Sequence, residues 1–150
     1  MRVGELCSRD VRIAYRNQAL VEAAREMLAF HVGALVVIEP GTAARRPVGI
    51  LTDRDIVRGQ LKRGADLFCL TVGDVMTPNP IALTTEMDVG VAIDALNAKA
   101  VRRAPVVDQA GGVIGIVTLD DLLPAVAEDL RSLASLIGLQ ARQEHRSRPW

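Results

Sequence analysis

Aromatic side chains are nearly absent from this chain, which has one Trp, one Tyr and two Phe among 150 residues. Without large rings, Val, Leu, Ile and Ala must fill the core, and such small side chains suit closely packed helices and sheets. Cysteine is equally sparse. Cys7 and Cys69 form neither a CxxC pair nor a metal-ligand spacing, which excludes a disulfide framework and reads as two free thiols in a reducing cytosol. His31 and His145 are isolated, and no Ser-His-Asp, paired-acid or metal-binding constellation can be assembled. The chain therefore reads as no enzyme by itself. The formal net charge is zero, so no global field draws in nucleic acid. No apolar run approaches the ~18 residues of a membrane span, and no signal-peptide pattern opens the chain. A cytoplasmic, bacterial protein is the expectation.

What is present is ordinary for a protein with a buried core: 49% hydrophobic and 24% charged residues. The length suits one domain, or two small halves sharing a core. Lysine occurs only at Lys62 and Lys99, so arginine supplies nearly all the positive charge. Arginine grips phosphate with a planar fork.

The chain repeats itself. "GILTDRD", from Gly49 to Asp55, returns as "GIVTLDD", from Gly115 to Asp121. "VGELC" at Val3 returns as "VGDVM" at Val72, an offset of 69 residues, and in that register Leu20 falls on Val89, Ala23 on Ala92 and Met27 on Leu96. The opening glycines are offset by 66, so the loop "EPGTAARRP" of the first half holds three extra residues. Loops absorb such insertions cheaply.

Each half predicts the same order of elements. A brief extended segment, "VRIAY" or "PIALT", precedes an amphipathic helix, "ALVEAAREMLAFH" or "DVGVAIDALNAKA". Two strands follow, "ALVVI" then "PVGILT", or "APVVD" then "VIGIVT", and a closing helix starts at each Thr-x-x-Asp. "MTPNP", Met76 to Pro80, reads as rigid, turn-forming punctuation. The fold class is α/β, with two β-α-β-β-α units packed sheet to sheet, because one unit alone cannot bury its faces. The divisions are 1–68, 69–125, and a helical extension with a polar tail over 126–150.

Thr-x-x-Asp is close to a capping box, so a single copy reads first as a helix start. The same geometry suits a ligand. A strand ending at a helix N-terminus exposes free amides and a positive dipole end, which favours phosphate. Gly49 and Gly115 would let another backbone or a flat ring approach. Asp55 or Asp121 could accept hydrogen bonds from both vicinal hydroxyls of a ribose.

At "VMTPNPIALTTEMDVGVAIDALNAKAVRRAPVVD" with "GIVTLDDLL", and more loosely "LCSRDVRIAYRNQALVEAAREMLAFHVGALVVIE" with "GILTDRDIV", the chain resembles the cystathionine β-synthase (CBS) domain family. The resemblance covers nearly all of residues 3–125. It implies a stand-alone tandem pair, or Bateman module, with pseudo-twofold symmetry and two clefts that take adenosine-containing ligands: AMP, ADP or ATP, with S-adenosylmethionine ranked after them. It implies ribose contacts from Asp55 and Asp121, and contacts near ribose or phosphate from Thr52 and Thr118. The segment Arg102, Arg103, Ala104 and Pro105 would line a cleft, as would Ile81. The two sites should differ. "VRRAP" carries cations that "VGALV" lacks, so the expectation pairs Arg102 and Arg103 with Asp121 as the stronger phosphate site. Arg54 would compensate beside Asp55, with Arg45 and Arg46 in the extra loop. Asp120 would repel phosphate if it faced inward.

In "DDLLPAVAEDLRSLASLIGLQ", Leu122, Leu123, Val126, Leu130, Leu133 and Ile137 form a helical stripe that outruns the repeat, widened by Leu136 and Leu139. The expectation is a homodimer through this helix, with an unknown regulated target, and with Pro124 near the helix's first turn. The tail "RQEHRSRPW" reads as solvated rather than as a nucleic-acid arm. The rival to a nucleotide sensor is a ligand-free dimerisation or scaffold module, whose Thr-x-x-Asp strings only cap helices.

Overall fold

Period-2 apolar runs and 3.6-residue stripes become two sheets flanked by helices. The computed structural model describes residues 1–64 and 66–146. The tail 147–150 and the side chains of Glu144 and His145 lie outside the described residues. The elements are α1 (Val3–Leu6), β1 (Ile13–Tyr15), α2 (Leu20–Phe30), β2 (Ala34–Ile38), β3 (Pro47–Thr52), α3 (Asp53–Arg63), α4 (Val72–Val75), β4 (Thr77–Pro78), β5 (Leu83–Thr84), α5 (Val89–Ala98), β6 (Arg103–Val107), β7 (Val113–Thr118) and α6 (Leu119–Arg146).

The first sheet has the order β1-β2-β3-β4 and the second β5-β6-β7. In each, the leading short strand, β1 or β5, runs parallel to its neighbour, the long pair β2–β3 or β6–β7 is antiparallel, and β4 runs antiparallel to β3. The sheets meet face to face over Val36, Ile38 and Val113, with Ile13 and Ile116 packed around them. Each outer face is covered by its own helices over Leu20, Leu35 and Leu51 in one lobe and Leu83, Leu96 and Val117 in the other. This is the expected α/β architecture.

The lobes do not coincide with the sequence repeats, because the leading segment of each repeat crosses to the other lobe. Val3 is fully buried in the core of the second repeat, and Val72 in the core of the first. Matching hydrogen bonds hold both crossings. Val3 N–H donates to Met87 O and Gly4 N–H to Thr85 O; Val72 N–H donates to Gln18 O and Gly73 N–H to Arg16 O. Thr77 then pairs with Ile50 on β3, and Ser8 with Ile116 on β7. "MTPNP" is thus more than a turn: its Thr77–Pro78 forms the edge strand β4, where proline is tolerated because one side of the strand needs no donor. The glycines of the repeated strings serve these crossings. A Cβ on Gly115 would sit 2.7 Å from Ser8 O, and one on Gly49 would meet the Met76 side chain and Thr77 O.

His31 ends α2 as expected, but through its backbone: it adopts the left-handed region (φ 52°), and its N–H donates to Leu28 O and Met27 O. Pro124 departs from expectation. It lies inside α6 beyond the first turn, where a proline removes the N–H that would reach the carbonyl of Asp120. Leu122 and Ala125 anchor α6 in the second core, whereas Leu130 and Ile137 stand 62% and 69% exposed.

Candidate functional site

Because the leading segments cross, each cleft is assembled from both repeats. The first is a hollow of about 410 Å³ lined by Ile50, Thr52, Asp53, Arg54 and Asp55 at the β3–α3 junction, by Thr77, Pro80 and Ile81 after the crossing, and by Ala100, Val101, Arg102 and Arg103 leading into β6. The second, about 260 Å³, gathers Ile116, Thr118 and Asp121 with Ser8, Asp10, Val11 and Arg12, and with Val32, Gly33 and Ala34 leading into β2; Arg103 borders it too. Small-molecule sites occupy roughly 300–1,000 Å³, so the first has the size and the second falls short. A hollow of about 540 Å³ along Leu139, Arg142 and Arg146 has a single helix for its wall and offers no enclosure.

The pairing of cations and carboxylates is crossed relative to the expectation from sequence. Arg102 lines the cleft of Asp55, not that of Asp121, and Arg103 borders both. Thr52, Arg54, Asp55, Ile81, Arg102 and Arg103 come together in one cleft; Thr118 and Asp121 line the other. Ala104 and Pro105 line neither, since strand alternation turns Ala104 into the second core and Pro105 is buried within β6. Arg45 and Arg46 line neither cleft: the extra loop packs on the β6–β7 turn, where Arg45 O accepts from Val113 N–H. Asp120 stands 4.0 Å from Arg102 as an exposed ion pair rather than facing phosphate alone.

Both Thr-x-x-Asp strings do cap helices. Thr52 N–H donates to Asp55 Oδ2 at 2.9 Å, and Asp55 N–H to Thr52 Oγ1 at 3.1 Å. Asp55 is 8% exposed, and its Oδ1 accepts from the Thr77 hydroxyl at 3.3 Å. In the other box, Thr118 N–H and Oγ1–H both donate to Asp121 Oδ2, at 2.7 and 2.8 Å. An ionised carboxylate has about four acceptor positions, so either Asp can cap a helix and still receive ribose hydroxyls.

The helix N-terminus is less available than the sequence suggests. At α3, Asp53 N–H reaches Gly33 O at 3.4 Å, Arg54 N–H is taken by Asp53 Oδ1 at 2.8 Å, and Asp55 N–H by Thr52. Positive charge in the first cleft therefore comes from the guanidinium groups of Arg54, Arg102 and Arg103. Its apolar wall is Ile50, Pro80, Ile81 and Val101.

Sequence reasoning missed Arg12. It occupies in the second cleft the place that Ile81 holds in the first, by the same 69-residue offset. Its guanidinium lies 3.6 Å from the centroid of the Phe30 ring and 3.5 Å from Asp10, and the residue lines the smaller cleft. The repeat register carried the signal, since Arg12 aligns with Ile81.

The matched repeat architecture decides the family. A family model, the CBS domain, matches twice, over residues 3–62 and 72–128. The chain is a tandem pair of CBS domains. It is 33% identical over 121 residues to an uncharacterised protein of Methanopyrus kandleri, covering 81% of this chain and 60% of that one. Against a CBS domain-containing protein of Bacillus subtilis it is 36% identical over 106 residues, 71% of each chain. Among solved structures, a CBS domain protein of unknown function from Thermoplasma acidophilum superposes with a TM-score of 0.75 at 27% identity, covering 83% of this chain and 68% of that one. The CBS domain pair of protein MJ0100, in complex with 5′-methylthioadenosine and S-adenosyl-L-methionine, gives 0.71 at 25% identity, covering 84% and 99%. A CBS domain protein from Pyrobaculum aerophilum complexed with AMP gives 0.73 at 24%, covering 85% and 99%. Among the described residues, no helix of this CBS pair is long and apolar enough to cross a membrane, and no group of three or more His, Cys, Asp or Glu could hold a metal.

Proposed function

We propose that this CBS pair is a non-catalytic regulatory module that binds one adenine nucleotide per chain in the Asp55 cleft. The observation that carries the reading is the meeting of a carboxylate, an apolar wall and three arginines in one hollow built from both repeats. Asp55 would accept the ribose hydroxyls, with Thr52 beside it. Ile50, Pro80, Ile81 and Val101 would flank the base. Arg102, Arg103 and Arg54 would meet phosphate, with the ligand displacing Asp120 from its exposed contact with Arg102. AMP, ADP and ATP fit this division of labour. S-adenosylmethionine ranks after them, because it offers three arginines one carboxylate in place of phosphate, beside a sulfonium that they repel. The AMP and S-adenosylmethionine complexes of structural neighbours support the ligand class.

A nucleotide in this position bridges the two lobes, tying Asp55 on one to Arg102 on the other. Binding would therefore favour one relative placement of the lobes, which is the differential contact a population shift requires. The regulated target would read that placement. The scaffold reading draws on the closed capping boxes, which need no ligand.

Thermal denaturation with AMP, ADP, ATP and S-adenosylmethionine separates the two. A ligand at a hundred times its Kd adds about 2.7 kcal/mol, and each kcal/mol moves the Tm of a domain this size by roughly 2–4 °C. A rise of several degrees with at least one nucleotide is expected. No rise with any of the four at millimolar levels favours the scaffold.

A further inference from the structure

We propose that the exposed stripe of α6 is the contact for a second copy of this chain, laid antiparallel against it. The proposal is independent of the nucleotide reading. α6 has 28 residues and is therefore about 42 Å long. Its buried anchors end at Ala125, and from Glu128 to Gln143 every residue is exposed. Helices in proteins draw most of their stability from packing an apolar face, so the projecting part needs a surface to pack on.

The spacing says what kind of surface. Leu123, Val126, Leu130, Leu133 and Ile137 recur at alternating steps of three and four residues, with Gln140 next in the series. That is the a/d spacing of a two-helix coiled coil, with Leu136 flanking the seam and Leu139 lying off it. Leu123, Leu130, Leu133 and Ile137 are each 58–69% exposed. Ala127, Ala134 and Ala141 fall seven residues apart along one flank of the seam. Small side chains there let a second helix approach closely.

Charge chooses the occupant and its direction. Asp120, Asp121, Glu128 and Asp129 all precede Leu130, and no basic residue lies among them. Arg131, Arg142 and Arg146 follow it, with Glu144 the single acid among them. A parallel copy would set acids beside acids. An antiparallel copy sets the acidic end of each helix along the basic end of the other. The seam is self-complementary in that direction, as a twofold contact must be. Leu130 meets Leu133 of the second copy at the centre, the outer side of Val126, which also packs on the second core, meets Ile137 on either side, and the polar Gln140 falls at the outer ends against Leu123. The same register brings Arg142 of one chain to Asp121 of the other.

Sedimentation equilibrium on the whole chain at micromolar concentration should give twice the chain mass. Leu130→Glu with Leu133→Glu should give the single-chain mass while keeping a cooperative thermal transition. Direction is read by disulfide trapping in a Cys7→Ser, Cys69→Ser background. A mass-tagged Leu130→Cys chain mixed with an untagged Leu133→Cys chain should form the mixed disulfide in preference to either self-pair. A monomeric wild type, a dimer that survives both glutamates, or preferential self-pairing of each cysteine variant would overturn the proposal.

Discussion

Asp55 and Arg102 line one cleft, although they belong to different sequence repeats. Arg102 also sits 4.0 Å from Asp120 at the start of α6, which places it between the two repeats. If the cleft holds a nucleotide, this arginine meets phosphate. Arg102→Ala with Arg103→Ala should weaken AMP binding by about tenfold, or 1.4 kcal/mol. That is below the sum of two charged hydrogen bonds, since exposed groups are screened. Adenosine, with no phosphate, should lose less than AMP in the same titration. Equal losses for both would remove the arginines from the phosphate role.

Arg12 gives the matching prediction for the second cleft. Cation–π contacts contribute about 0.5–2 kcal/mol, more as they are desolvated, and Arg12 is half-buried, so Arg12→Ile should cost at most about 2 kcal/mol of stability while removing the guanidinium and copying Ile81. A second, weaker nucleotide event should then appear in calorimetry beside the first. A wild type that already binds two nucleotides per chain would show that Arg12 does not block the site.

The crossings make a stability prediction. A side chain at position 115 must displace backbone, since the nearest atom is Ser8 O at 2.7 Å. Gly115→Val should lower stability by about 1–3 kcal/mol, as overpacking does, and raise hydrogen exchange at the Ser8 and Ile116 amides. An unchanged melting curve would mean that the Ser8 crossing is not held closely in solution.

Asp74 supplies a pH signature for the other crossing. The Thr71 backbone N–H, then the Thr71 hydroxyl, hold its carboxyl below the ordinary 3.8, with Arg63 adding to them. A depressed folded value means the stabilisation is complete above about pH 4 and is lost as pH falls through the lowered value. Asp74→Asn should therefore reduce stability at neutral pH and leave the two proteins closer together in acid. A constant gap in Tm from pH 7 to pH 3 would contradict this.

Much of the fold was legible because it rests on local patterns. "PVGILT" and "VIGIVT" are β3 and β7 to the residue, and Thr52 and Thr118 stand at the helix starts the repeated string marks. The members of the candidate site were partly legible, and their grouping was not. Sequence repeats suggest that Arg102 serves Asp121 of its own repeat. The packing of the two sheets on each other sets Arg102, at the entry to β6, beside Asp55 instead, and no local propensity encodes that contact. The same limit applies to Arg45 and Arg46, whose loop docks on a turn sixty-odd residues away in sequence. Ala104 failed for a simpler reason: strand side chains alternate sides, and Ala104 packs with Val106 in the second core rather than at a cleft.

Isothermal titration of AMP into wild type, Asp55→Ala and Asp121→Ala tests the central claim most directly. Losing the ribose contacts costs about 2–3 kcal/mol, which is roughly 30- to 150-fold in affinity. Loss of the cap costs about 1 kcal/mol of stability and leaves the fold intact. One binding event per chain is expected, weakened by that factor in Asp55→Ala and nearly unchanged in Asp121→Ala. Abolition of the event by Asp121→Ala with Asp55→Ala like wild type would contradict it.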